Sequence, residues 1–284
     1  MSCWIESPKT LGRLTRRLHG AIITQLWLRQ MGNSAAFTDS RLRIQWAKES
    51  LADFVRCANI YFKRAPREFS IERDPSGIYE WHKFKFLKPI PITLTKLTVH
   101  AIEDLRAALD LAACDVARLA GLSADEVHFP FSRSISDFKS RVNSACKEFP
   151  QEIKDLFASY EPYATGSALL FAINELCNAS KHQIIMPVVS MVGTELPYIE
   201  TSDTEHALPI MLYSSGEEEI TFAIAERGLK WKYEADFSFR ICFGKIGAIA
   251  GRDVAENIDG MIRAVDAIIH EIETESRKIG ILTT

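Results

Sequence analysis

The sequence predicts an α+β protein with an antiparallel helical core, an inserted β-hairpin and a C-terminal antiparallel sheet closed by a terminal helix. Between residues 40 and 183, apolar residues recur mostly at helical spacing. After residue 66, and again after residue 183, they alternate with polar residues, which is typical of strands. The chain has 284 residues, 47% of them hydrophobic, so it can bury one large core or two small ones.

The first predicted domain, residues 1–37, is a basic amphipathic extension. Its first 30 residues hold five basic side chains and one acidic side chain, whereas the whole chain carries a formal charge of −3. A basic amphipathic helix can lie on a membrane or on a partner, but an appended terminal helix is the simpler interpretation. Met31, followed by Gly32-Asn33-Ser34, offers an alternative start. The acidic remainder argues against a polyanion-binding body.

The second predicted domain, residues 38–190, is the helical core with the hairpin inserted at residues 67–87. Thr38, Asp39 and Ser40 offer N-caps for the first helix. The hairpin turn is predicted at Asp74-Pro75-Ser76-Gly77, where Pro and Gly occupy favoured positions. Pro150 divides the region 135–159 into one or two helices. Helices are predicted near residues 40–64, 93–120, 135–158 and 166–183.

The third predicted domain, residues 191–284, is an antiparallel sheet followed by a helix near residues 252–277. Alternation within the strands suits a sheet with one face covered. The terminal helix is expected to cover that face; alternatively it joins the helical core or buries its apolar stripe against a second copy of the chain. Strands are predicted just after residue 183 and near residues 208–213, 219–226, 229–234 and 236–243.

Several function classes find no support in the sequence. The six cysteines form no C-x-x-C pair, which indicates reduced, buried thiols and a cytoplasmic protein. No apolar run reaches the roughly 18 residues needed to cross a bilayer, and no signal peptide is visible. The histidines lack metal ligands at short spacing, so no metal site is predicted. Gly244, Gly247 and Gly251 fit no phosphate-binding fingerprint, and no cofactor is predicted.

The candidate site lies at the end of the helix near residues 166–183. Asn178, Lys181 and His182 are spaced i, i+3 and i+4, so they share one face of the last turn. Arg106 and Asp110 can pair along the helix near residues 93–120. In a structural interpretation Asn178 and His182 bond neighbouring backbone carbonyls. The pair of Arg106 and Asp110 then fixes how the two long helices pack. The alternatives are RNA or nucleotide chemistry and a binding or assembly role.

Four short motifs resemble, in order and spacing, a widespread bacterial family of uncharacterised proteins. That family typically reads H-N-L-R-S-A-L-D, F-P-I, L-Q-P-Y and N-N-x-D-K-H-R, and the resemblance covers roughly residues 40–200. The motifs here are Leu105-Arg106-Ala107-Ala108-Leu109-Asp110, Phe129-Pro130-Phe131, Tyr160-Glu161-Pro162-Tyr163 and Asn178-Ala179-Ser180-Lys181-His182. The departures from the family's residues are Glu103, Asp104, Ala107, Cys177, Ser180 and Gln183. The resemblance implies a fold and no reaction.

The chain also resembles the HEPN superfamily of small helical bundles, many of which are dimeric RNA-cleaving toxins. Their motif is an Arg followed by a His, often with Asn next to the Arg; here Cys177 stands where the Arg belongs. The resemblance implies a His pair at one phosphodiester of a dimer, with Arg106 or Lys181 supplying the positive charge. Because Cys177 replaces the Arg of that motif, we expect a non-enzymatic interaction or accessory module of HEPN-like helical type that forms a homodimer or binds a protein partner. The alternative is a metal-independent RNase that uses His182.

Overall fold

The computed structural model describes residues 35–182, 184–185, 187–201, 219–227, 231–244 and 249–283. The predicted α+β fold class is confirmed, with helices and antiparallel sheets in one chain. The helix predicted in residues 9–30 and the strand at 208–213 lie outside the described residues. The elements are α1 (Thr38–Arg64), β1 (Arg67–Arg73), β2 (Tyr79–Phe86), α2 (Ile92–Leu119), α3 (Ile135–Ser144), α4 (Gln151–Ser159), α5 (Ala168–Ser180), β3 (Pro187–Thr201), β4 (Glu219–Glu226), β5 (Trp231–Phe243) and α6 (Val254–Lys278).

The helices start and stop near the predicted bounds because local signals set their ends. The Ser134 hydroxyl accepts a hydrogen bond from the Asp137 amide at 3.1 Å and so caps α3. Pro150 is the N-cap residue of α4, which makes two helices of the region 135–159. Before α1, Phe37 has a φ of 63° and its amide donates to the Asp115 carboxylate at 2.8 Å. Within the described residues, no helix is both long and apolar enough to span a bilayer.

The predicted hairpin forms with β1 and β2 in continuous antiparallel register, from Arg67 opposite Phe86 to Arg73 opposite Glu80. Its turn depends on Asp74, whose carboxylate accepts from the Ser76 hydroxyl at 2.6 Å and the Tyr79 amide at 3.0 Å. The hydrogen bond from Ser76 and the others lower the pKa of Asp74. Gly77 follows with a φ of 72°, a conformation that glycine adopts without steric cost.

The strands after residue 186 contribute to two sheets. β4 pairs with β2, which gives a three-stranded sheet in the order β1-β2-β4, while β3 and β5 form a two-stranded sheet. The alternation of apolar and polar residues predicts that β4 is a strand but does not determine which strand it pairs with. β5 is one strand across residues 231–243, where the sequence predicts two at 229–234 and 236–243. Ile184 is predicted within a strand, but it precedes β3 and is 65% exposed.

The chain divides into two compact units. The described residues of the first unit fall within Met1–Arg43, Ala107–Gly166 and Val265–Thr284. Those of the second unit fall within Ile44–Arg106 and Ser167–Ala264. Helices α1, α2 and α6 contribute residues to both units. The three domains at residues 1–37, 38–190 and 191–284 stay a prediction.

Each unit has an aromatic cluster in its core. In the first unit the Phe129 ring lies 4.9 Å from the Phe131 ring and 5.3 Å from the Phe157 ring, centroid to centroid. In the second unit, Phe84 stacks on Phe239 at 5.0 Å. Phe84, Phe129 and Phe157 have no solvent exposure. Burial of such rings is among the largest favourable terms available to a core of this size.

The first unit also contains an ionic cluster centred on Glu273 of α6. Its carboxylate accepts hydrogen bonds from Arg41 and, at 2.5 Å, from Arg277. Partial burial raises the pKa of Glu273, but the hydrogen bonds from Arg41 and Arg277 and their positive charges lower it by more, so that the net pKa lies below its usual range. The charged carboxylate therefore contributes to the stability of the folded chain.

This contribution should depend on pH. Because the folded pKa is depressed, the stabilisation is present above the unfolded pKa of about 4.3 and is lost as pH falls through the folded pKa. We expect the difference in Tm between the native chain and Glu273→Gln to be largest near neutral pH and to shrink on acidification. Arg41→Gln should give a smaller effect of the same sign, since Arg277 remains. A Tm difference that stays constant down to about pH 3 would contradict this account; differential scanning fluorimetry measures it.

Candidate functional site

The candidate site is built on α5, which begins after Ser167. The Ser167 hydroxyl accepts a hydrogen bond from the Leu170 amide at 3.4 Å. The apolar residues of α5 are buried on one side: Leu170, Ala172, Ile173, Leu176 and Cys177. Asn174 and Asn178 follow the helical i, i+4 spacing and lie outside this apolar side, half-buried and exposed respectively. The apolar side of α5 thus fixes a polar row that faces away from it.

Within the second unit, Asn174 connects two of the predicted site residues. Arg106 of α2 donates to the Asn174 side-chain oxygen, and the Asn178 amide donates to the same oxygen at 3.4 Å. The Ser180 hydroxyl also donates to Glu103 of α2 at 3.1 Å. These bonds join α5 to α2 along their polar sides. The predicted interpretation that Asn178 bonds a backbone carbonyl therefore gives way to a side-chain bond with Asn174.

Lys181 and His182 lie at the end of α5 with exposed side chains. Lys181 is the C-cap residue, and the His182 amide donates to the Ala179 carbonyl at 2.9 Å. The helix therefore holds the backbone of His182 while its imidazole faces solvent. Cationic side chains at this position also interact favourably with the negative end of the helix dipole. Cys177, which stands where a HEPN motif has Arg, is only 8% exposed.

Asp110 belongs to the first unit, whereas Arg106 belongs to the second, and the predicted pairing of the two stays a prediction. One Asp110 carboxylate oxygen accepts a hydrogen bond from the Phe129 amide at 2.8 Å. The other lies 3.8 Å from Nδ1 of His128, whose side chain is 66% exposed. Asp110 thus holds the chain at the point where Phe129 enters the core. The candidate residues are therefore distributed between two places in the fold.

Three of the four short motifs come together around Asp110 in the first unit. The Ser132 amide, directly after Phe129-Pro130-Phe131, donates to the Pro162 carbonyl at 3.0 Å. The ring of Tyr160 stacks on that of Phe129 at 6.3 Å. Glu161 has a φ of 48°, an unusual conformation for a residue with a side chain. These motif residues therefore serve the packing of the unit.

Gly166 closes this turn, and sequence reasoning missed its role. A Cβ added at Gly166 would overlap the Glu161 carbonyl oxygen and lie 3.0 Å from Cε2 of Tyr163. The Gly166 amide in turn donates to the Tyr163 carbonyl at 3.0 Å. The signal in the sequence is the short spacing from Tyr160-Glu161-Pro162-Tyr163 to a single glycine before α5. Only glycine fits this close approach of two backbone segments.

Nucleophilic and metal chemistry find little support among the described residues. Burial raises the pKa of the thiols of Cys114 and Cys242, and it raises that of Cys146 to about 11. These thiols are protonated at neutral pH, and a protonated thiol is a weak nucleophile. The Cys114 thiol donates to the Val127 carbonyl at 3.3 Å, which is a structural role. In the described ranges, no group of three or more His, Cys, Asp or Glu side chains is placed to hold a metal ion.

Comparisons with known proteins do not assign this chain to a family. No protein-family model, no curated protein and no solved structure matches this chain. The resemblances to the bacterial family and to HEPN proteins therefore stay predictions that depend on the motif residues alone.

The bond from Phe129 to Asp110 should contribute measurably to stability. Asp110→Ala leaves the amide of a fully buried residue without this acceptor, which typically costs about 1.5–3 kcal/mol. Asp110→Asn should cost less because its amide oxygen can still accept the bond. Urea unfolding followed by circular dichroism measures both. Equal losses for the two variants would mean that the charge of Asp110, and not the bond to Phe129, matters.

Gly166→Ala should also destabilise the fold, by about 1–3 kcal/mol, because the turn must shift to admit a methyl group. Gly260 of α6 is the matched control. A Cβ at Gly260 would lie 3.7 Å from the nearest atom, Cδ1 of Leu169. Gly260→Ala should therefore stabilise the helix by about 0.5–1 kcal/mol. The same urea titration compares the two, and a neutral Gly166→Ala would show that the turn relaxes freely.

Proposed function

We propose that this chain is a cytoplasmic, non-enzymatic interaction or accessory module of HEPN-like helical type that works as a homodimer. The observation that carries the proposal is the set of large apolar side chains exposed on the β1–β2 hairpin. Phe69 is 49% exposed, Ile71 58%, Ile78 57% and Tyr79 42%. Phe69 and Ile71 lie on the same face of β1, and exposed apolar side chains grouped in this way are typical of a protein-binding surface.

The hydrogen bonds of the predicted site residues also support a non-enzymatic role. Arg106 and Asn178 bond the same oxygen of Asn174, and Ser180 bonds Glu103. The bond from Arg106 to Asn174 holds its guanidinium against α5, a role in helix packing that requires no substrate. Asp110 holds the Phe129 amide. These roles are those of residues that hold helices and loops together.

A metal-independent RNase using His182 is the second candidate, and the exposure of Lys181 and His182 favours it. In that reaction the neutral imidazole of His182 would take the proton of a ribose 2′-hydroxyl, whose oxygen attacks the neighbouring phosphorus. The 5′-oxygen of the next nucleotide would leave and take up a proton from water. The Lys181 ammonium would stabilise the negative charge of the phosphorane, the function that Arg has in HEPN proteins.

Two measurements on purified protein separate these candidates. Sedimentation velocity should give the mass of a dimer for the native chain and of a monomer for Ile71→Lys, because a buried lysine in the contact is costly. Ile60→Lys is the control, since Ile60 is 47% exposed on α1, outside the hairpin. Labelled total RNA incubated without metal should stay intact.

Cleavage that disappears in His182→Ala, with circular dichroism unchanged, would overturn the proposal in favour of the RNase. A native chain that stays monomeric at every concentration would overturn the proposed homodimer. Loss of the dimer in Ile60→Lys as well as in Ile71→Lys would overturn the assignment of the hairpin as the contact surface.

A further inference from the structure

We infer that the outer edge of β1 is the surface on which a second copy of this chain binds, with the two β1 strands antiparallel and Phe69 opposite Phe69 of the second copy. This inference rests on the proposed homodimer and names its contact. β1 is the outermost of the described strands in the sheet β1-β2-β4. An outer strand presents backbone N–H and C=O groups that can bond a further strand.

The backbone bonds that flank β1 determine which of its residues face outward. The Leu87 amide donates to the Pro66 carbonyl, and the Asp74 amide donates to the Tyr79 carbonyl. In an antiparallel pair the bonds alternate along the strand, and β1 is in continuous register with β2. The even-numbered residues therefore direct their backbone groups towards β2. The odd-numbered residues of β1 direct theirs away from it.

The charges of β1 do not protect its edge in the usual way. Glu68 lies 3.2 Å from Lys85 and Glu72 is paired with Lys83, so that each carboxylate has a cationic partner on β2 of the same sheet. The Arg67 guanidinium lies 5.8 Å and 5.6 Å from the ring centroids of Phe86 and Phe239. Charged side chains keep foreign strands away from an edge when they extend over it. Here three of them are directed towards their own sheet.

The apolar core of the second unit also continues to this edge. Phe69 and Ile71 point to the same face of β1, because side chains alternate along a strand. The Phe69 ring lies 5.4 Å from that of Phe84, which has no exposure, while Phe69 itself is 49% exposed. A second β1 strand would cover the apolar side chains at the end of this core. The edge and the apolar surface thus favour the same occupant.

A closed dimer requires a twofold axis, and that requirement limits the register. With the axis perpendicular to the sheet, odd residues oppose odd ones and even residues oppose even ones. Centring on Ser70 places Arg67 opposite Arg73 and Glu68 opposite Glu72, and both pairs have like charges. Like charges directly opposite each other destabilise a strand pair.

The registers centred on Ile71 and on Phe69 also differ in which charged residues they place opposite each other. Centring on Ile71 places Glu68 opposite Asp74, again with like charges. Centring on Phe69 places Arg67 opposite Ile71 and Glu68 opposite Ser70, whose hydroxyl can donate to the carboxylate. It also brings two aromatic rings together across the axis. This register alone among the three opposes no like charges, and it is the one that we infer.

Cysteine cross-linking tests the register directly. Phe69→Cys, Ser70→Cys and Ile71→Cys each place a thiol on the twofold axis of one register only. In the inferred register the two β-carbons of the Phe69→Cys variant are about 5 Å apart across the axis, within reach of a disulfide after slight adjustment. Equivalent positions at 70 and 71 are offset by about 7 and 13 Å along the strands. Mild oxidation followed by non-reducing electrophoresis should give a covalent dimer mainly for Phe69→Cys, with the native chain as the control for its own cysteines.

Ile71→Pro provides an independent test without a new thiol. Proline removes an outward N–H of β1 and keeps the bonds to β2, so the variant should be monomeric with a Tm close to the native value. Ser70→Pro, which removes an N–H directed towards β2, is the control for damage to the sheet and should lower the Tm.

The outcomes separate this inference from the proposed function. Preferential cross-linking through Ser70→Cys or Ile71→Cys would overturn the register. A native dimer that none of the three variants cross-links, and that Ile71→Pro leaves intact, would overturn the β1 edge while the homodimer stands. A monomeric native chain would overturn both, and would indicate that a segment of the same chain or another protein covers the edge.

Discussion

The hydrogen bond from the Phe129 amide to the Asp110 carboxylate is the contact on which the first unit depends. The segment after His128 carries two phenylalanine rings into the core, so its backbone polar groups leave water and need partners. A carboxylate on α2 accepts one of them, and Pro162 accepts the amide of Ser132. The aromatic cluster can form because these bonds offset the loss of hydration. A charged acceptor therefore fixes the position of an apolar core.

Most of the elements could be predicted from the sequence, because they depend on local signals. Helical periodicity, Pro150 and the Asp74 turn act within a few residues, and each gave an element near its predicted bounds. The partner of β4 could not be predicted in this way. The alternation of apolar and polar residues in β4 defines the two faces of the strand. Its pairing with β2, however, depends on residues far away in the sequence. Ala235, where the sequence predicts a break, continues one strand because its neighbours on β5 keep pairing with β3.

The candidate site was predictable only in part, for a related reason. The row of Asn178, Lys181 and His182 follows from the geometry of a single helix, and the structure gives each of them an exposed side chain. Asn174 was missed because its role depends on Arg106 from another helix. Asp110 accepts the amide of Phe129, which lies on a loop 19 residues later, and spacing along α2 could not indicate that contact. The spacing of residues in the sequence shows which side chains are neighbours on one helix. It does not show which residues of other elements they contact in the folded chain.

The pairing of β2 with β4 has a consequence for the order in which the chain folds. The residues that it joins, such as Phe84 and Ile220, lie roughly 140 residues apart in sequence. The β1–β2 hairpin closes through a short turn, a local event, whereas the third strand has to wait for a long loop to close. During synthesis the hairpin therefore leaves the ribosome well before β4, with both of its edges open. Premature association of the hairpin with another strand is easiest at this stage, before β4 pairs with β2.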